Sequence, residues 1–129
     1  MKLLLASPVH WPWSRWFLVL EWTGPRSGRR YRTPVCYVTD GDYLLITTGD
    51  AWWKNLAESP EVLIWWRGRE RRAAVEPIVD EDLSVELHER MFRTRPFFAS
   101  LAGIARSAGR AGILRSVRAG RTLIRVRPA

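Results

Sequence analysis

Cysteine is almost missing from this chain: its 129 residues include one, Cys36. A lone thiol excludes an intramolecular disulfide and a cysteine-cluster metal site, and it suits a reducing compartment. Histidine is nearly as scarce. His10 and His88 are the two, and neither has a neighbour at the spacing of a zinc or iron site, so no metal is expected and both read as surface or packing residues. There is no nucleophile elbow, and no catalytic residue can be singled out. Long apolar runs are also lacking, since nothing approaches the roughly 20 residues that cross a bilayer. Met1 to Ala6 opens like a secretion signal, but Pro8, His10, Pro12 and Arg15 interrupt it. The expected location is the cytoplasm, with a peripheral membrane contact through Trp11, Trp13, Trp16, Lys2 and Arg15 left open.

Lysine is confined to Lys2 and Lys54, so the formal charge of +8 is carried almost wholly by arginine. That balance favours polyanionic partners: nucleic acid, an anionic membrane surface, or a cofactor bearing phosphate and carboxylates. A chain of this length buries one proper core, which makes residues 1–129 a single expected domain.

The pattern along the chain is mainly β. Residues 1–15, broken by Pro8 and Pro12, read as an N-terminal arm. Trp16 to Trp22 is a short run of β-formers suited to a buried strand. Arg32 to Thr39 alternates, Asp40-Gly41-Asp42 signals a hairpin, and Tyr43 to Thr48 completes it. Asp50 is placed to cap a short helix from Ala51 to Glu58, which Pro60 stops. A second hairpin, Glu61 to Arg67 and Arg69 to Val79, turns at Gly68, with Val62, Ile64 and Trp66 on one face. Asp80-Glu81-Asp82 begins a helix to about Phe92, where Leu83, Leu87 and Met91 recur at helical spacing. Residues 93–117 read as broken helices interrupted by Pro96, Gly103, Gly109 and Gly112. Arg121 to Arg127 closes the chain as a strand with Thr122, Ile124 and Val126 on one face. About six antiparallel strands with a few short helices predict a small barrel, because closure removes exposed edges.

The most informative stretch runs from Thr23 to Asp42. Gly24 and Gly28 permit a tight turn that exposes backbone N–H groups, and Arg26, Arg29, Arg30 and Arg32 surround it with guanidinium forks suited to phosphate or carboxylate. Taken alone, such a turn is more often a solvated loop than a site. A second stretch, Trp52-Trp53-Lys54-Asn55-Leu56, continuing to Pro60 and Val62, taken alone reads equally as a tryptophan-anchored core helix and as part of a site.

Together the two stretches resemble the deazaflavin-dependent nitroreductases and quinone reductases, within the FMN-binding split-barrel superfamily. The matching positions are Gly24, Ser27, Gly28, Arg32, Thr33, Pro34, Val35, Asp40, Gly41 and Asp42, then Trp52, Asn55, Leu56, Pro60 and Val62, with Trp53 in place of a tyrosine. Pro25 stands where the family has arginine, with Arg26 beside it. Thr48-Gly49-Asp50-Ala51 replaces the usual Gly-Gly and Pro, and the late substrate-pocket tyrosines have no counterpart. The resemblance implies a split β-barrel and a hydride-transferring reductase using coenzyme F420, with FMN as the alternative cofactor. The acceptor would be a small molecule such as a quinone or nitro compound. It implies a cofactor site at Arg26, Ser27, Gly28, Arg29, Arg32, Thr33, Pro34, Val35, Thr47, Thr48, Trp52, Trp53, Lys54 and Asn55. A homodimer is plausible by analogy. A basic nucleic-acid-binding barrel is the competing class, the less favoured one, motivated by interleaved tryptophan and arginine.

Overall fold

A computed structural model of the chain describes residues 17–24, 28–50, 53–54 and 61–129. The N-terminal arm, the tip of the basic turn and most of the 51–58 helix lie outside the described residues. Six antiparallel strands close into a barrel in the order β1-β2-β3-β6-β5-β4. They are β1 (Phe17–Thr23), β2 (Arg30–Asp40), β3 (Tyr43–Thr48), β4 (Glu61–Trp66), β5 (Arg69–Pro77) and β6 (Thr122–Pro128).

Period-two alternation divides β2, β3 and β6 between two cores and turns one face of β1, β4 and β5 into the barrel. Leu18, Leu20 and Trp22 of β1, Tyr37 of β2, Leu44 and Ile46 of β3, Val62 and Ile64 of β4, and Ile124 and Val126 of β6 fill the barrel. Residues of opposite parity, Val38, Leu45 and Leu123, pack instead against helices on the outside. Leu123, grouped in the sequence with the outward arginines, is therefore fully buried. The sequence shows which face it takes; only the helical layer explains why that face is dry.

That layer is α1 (Glu81–Thr94), α2 (Phe97–Leu101) and α3 (Gly109–Arg118), with a 3-10 turn at Arg106–Ala108. Asp80 caps α1, its carboxylate accepting from Leu83 N at 3.0 Å, and Glu81 and Asp82 occupy the first turn where the helix dipole favours acid. Pro96 sits at the N-cap of α2. The expected interruptions are real at Pro96, Gly103 and Gly109, but Gly112 lies inside α3. A Cβ there would come within 2.5 Å of the Ala108 Cβ, so the glycine allows close packing of the helix on its own approach. Arg67 and Gly68, both at positive φ (54° and 76°), form the two-residue turn between β4 and β5.

Candidate functional site

The barrel opens where β2 changes partners. Its first half pairs with β1, from Arg30↔Thr23 to Cys36↔Phe17, and its second half with β3, from Tyr37↔Ile46 to Asp40↔Tyr43. Beyond Tyr37 and Ile46, β2 and β3 no longer pair, while Thr47 and Thr48 continue to pair with β6. Pro34 falls in this stretch, where β3 requires no backbone donor from it. The separation leaves a cleft of about 240 Å³, lined by Thr33, Pro34, Val35 and Cys36 on one side and Thr47, Thr48 and Asp50 on the other. Met91 of α1, Phe98 and Leu101 of α2, and Ala102 at the end of α2 close it with an apolar wall.

A larger cleft of about 480 Å³ adjoins it. Gly49, Asp50, Trp53 and Lys54 form one wall, and Ile78, Glu81, Ser84, Gly120, Arg121 and Thr122 the others. Asp50 and Arg121 line both clefts. Trp53 anchors its helical turn by packing on the barrel core, and Lys54 Nζ lies 6.0 Å from that ring's centroid. Glu81, on the same cleft, is occupied by Arg118, which holds its carboxyl below the usual range.

A hydrogen-bond chain runs under the junction. His88 of α1 is fully buried, with Nδ1 2.8 Å from the Ser84 carbonyl oxygen and Nε2 2.7 Å from Thr47 Oγ1. A carbonyl oxygen only accepts, so Nδ1 carries the proton, Nε2 is bare, and the Thr47 hydroxyl donates to it. Arg121 NH1 in turn donates to Thr47 Oγ1 at 3.3 Å. Burial pushes the His88 pKa down to about 4, against the Ser84 hydrogen bond, with the positive charge of Arg121 adding to the fall. His88 is thus a neutral packing residue, the reading its isolation in sequence suggested.

The sequence-predicted residues separate into groups. Thr33, Pro34, Val35, Thr47 and Thr48 share the smaller cleft, and Trp53 and Lys54 line the larger one. Gly28 has the positive φ (68°) that its turn requires, and its N–H donates to the Gly24 carbonyl at 3.0 Å. Arg29 is exposed and lines neither cleft. Arg32 also lies outside both: its Nε donates to the carboxylate of Glu21, its direct partner across the β1–β2 ladder. Arg26, Ser27, Trp52 and Asn55 are outside the described residues. Arg121, which lines both clefts, and the contact of His88 with Thr47 behind it are features that the sequence did not indicate. Neither residue belongs to a motif, and the only local sign was Ser84 one helical turn before His88.

The sequence matches the family described as F420H(2)-dependent quinone reductase over residues 9–105. No curated protein matches it. Among solved structures, an F420-H2-dependent reductase is similar at 14% identity and a TM-score of 0.61, with 87% of this chain and 94% of that one covered. An F420 reductase is 20% identical, with a TM-score of 0.52 and coverage of 99% and 92%. A domain-swapped dimer is 13% identical, with a TM-score of 0.59 and coverage of 87% and 80%. At these identities the likeness establishes the split-barrel fold.

Proposed function

The chain belongs to the F420H2-dependent quinone reductase family, and from that premise we propose that it binds reduced coenzyme F420 in the paired clefts and passes a hydride to a small organic acceptor such as a quinone or a nitro compound. The observation that supports this most is the smaller cleft, which gathers Thr33, Pro34, Val35, Thr47 and Thr48 from two strands at the point where they part. A deazaflavin combines a flat ring, a phosphodiester and an acidic tail. The chemistry of the lining suits those parts: threonine hydroxyls and an apolar wall for the ring, Lys54 and Arg121 for anionic oxygens.

When bound, the cofactor supplies the hydride from ring position 5. The chain's own residues bind, orient and exclude water. Met91, Phe98 and Ala102 keep one side of the slot apolar, and a dry slot strengthens each polar contact made within it. Thr33 and Thr48 offer hydroxyls at the slot edge. Orientation of ring and acceptor within reach of each other is the protein's main contribution to rate.

Titration of reduced F420 and of FMN, followed by quenching of tryptophan fluorescence, tests the reading. F420 should bind more tightly, since the acidic tail absent from FMN meets basic groups; equal or tighter FMN binding would remove the deazaflavin assignment. Binding should weaken with salt, as exposed charges are screened over about 8 Å at physiological ionic strength. Single-stranded and duplex DNA, added as competitors, should not displace the cofactor. A homodimer is also proposed, on the similarity to a domain-swapped dimer; sedimentation showing a monomer at working concentration removes it.

A further inference from the structure

Arg121 joins the two clefts, is about half-buried, and forms no ion pair with a carboxylate among the described residues. Burial works against its charge, and Asp50 offsets this only in part. A guanidinium kept in such a place needs a reason, because an ordinary surface arginine would turn to solvent. The Thr47 hydroxyl, whose proton is committed to His88, presents only lone pairs to Arg121 and so holds NH1 in one direction. Gly49 completes the seat. A Cβ there would stand 3.1 Å from Arg121 NH2, so the bare backbone lets the guanidinium lie close.

We propose that Arg121, oriented by the Thr47–His88–Ser84 chain, is a phosphate-binding residue that grips the cofactor's phosphodiester together with Lys54. This rests on the deazaflavin reading above and adds a residue that no motif contains. The choice of phosphate over a ring oxygen follows from placement. Lys54 lines the larger cleft with Arg121, whereas in the smaller one Arg121 is, among the described residues, the sole cation, and Asp50 beside it leaves that slot without net positive charge. Two cations bracketing one oxyanion is the arrangement that phosphate favours, and the planar fork supplies paired donors. Thr47 and His88 are positioning residues in this scheme.

The test compares two ligands by fluorescence titration: F420, and the same ring and sugar-alcohol chain lacking the phosphate and all beyond it. Arg121→Ala should weaken F420 binding about ten- to hundredfold, the loss of one charge-assisted contact, while changing affinity for the phosphate-free fragment by less than about threefold. Arg121→Gln serves the same purpose if the alanine variant fails to fold. Thr47→Val should share the selective loss in smaller measure, and Thr47→Ser should restore it, a pattern that general destabilisation would not give. An equal loss for both ligands would assign Arg121 to the ring and overturn the proposal. No loss at Arg121, with a clear loss in Lys54→Ala, would overturn it while leaving the deazaflavin reading intact. Wild-type protein that binds neither ligand overturns both together.

Discussion

Glu21 and Arg32 stand directly opposite each other in the β1–β2 ladder, and the arginine Nε donates to a carboxylate that is only 5% exposed. The sequence places Arg32 among the cations of the expected anion site. Its charge is instead engaged in keeping a buried carboxylate satisfied, so a substitution acts first on the fold. Arg32→Ala should destabilise the protein by about 1–3 kcal/mol, the cost of stranding a buried acceptor. Glu21→Gln in the same chain should recover part of the loss, since the neutral amide is cheaper to bury. A double-mutant cycle in urea measures this coupling. Additive losses would show that the pair contributes nothing beyond its members.

How legible the site was depends on which contacts are local. The hairpin at Asp40-Gly41-Asp42, the acidic helix start at Asp80-Glu81-Asp82 and the alternation that sends Ile124 and Val126 inward are written within a few residues of each other, and the structure has them where the pattern put them. Family resemblance puts Thr33–Val35 and Thr47–Thr48 in one site; in the structure they line one cleft, which exists because β2 parts from β3 there. Arg121 and His88 meet Thr47 across 74 and 41 residues of chain. Neither periodicity nor a short motif carries such a contact, because it depends on helix α1 and the start of β6 packing against the same strand. For the same reason the pairing of Arg32 with Glu21 was invisible until the register was known.

His88 makes stability depend on pH. Its folded-state pKa of about 4 lies below the ordinary 6.5, so between these values the unfolded chain binds the proton more readily. The contribution is complete above pH 6.5 and is lost as pH falls toward 4, to a total of about 3 kcal/mol at about 1.4 kcal/mol per pH unit. Thr47 from β3, Ser84 and Phe92 on α1, and Arg121 before β6 are the groups that face the ring; Arg121 is the charge among them and opposes protonation. Denaturant titrations of wild type and His88→Gln should show a gap in slope across this window. Parallel pH profiles for the two proteins would remove His88 as the sensing group.

Cys36 lines the smaller cleft, and burial pushes its thiol pKa up. A protonated thiol is a poor nucleophile, which supports a packing role. Cys36→Ser should leave cofactor affinity within about threefold of wild type, the scale of a contact that carries no charge. Alkylation by iodoacetamide should be slower than that of free thiol in solution, and slower again with F420 bound. Rapid labelling unaffected by the cofactor would place the ligand elsewhere.

The distribution of arginine effects separates a discrete site from a diffuse basic surface. Lys54 faces the larger cleft, whereas Arg69, Arg71 and Arg72 lie on β5, away from both clefts. Arg71 donates to the Ala129 carbonyl and lies over the Trp66 ring, and Arg72 makes a loose, exposed pair with Glu61 at 3.8 Å. Lys54→Ala should therefore weaken F420 binding by about one to two orders of magnitude, one charge-assisted contact. Alanine at Arg69, Arg71 or Arg72 should change it by less than about threefold, the scale of screened surface charge. A nucleic-acid-binding barrel requires another pattern, with losses in DNA affinity spread over all these positions and a salt slope that falls with each phosphate contact removed. Should all four substitutions weaken F420 binding alike, a cleft-bound phosphate at Lys54 could not be maintained, and the basic charge would be acting as a field rather than a site.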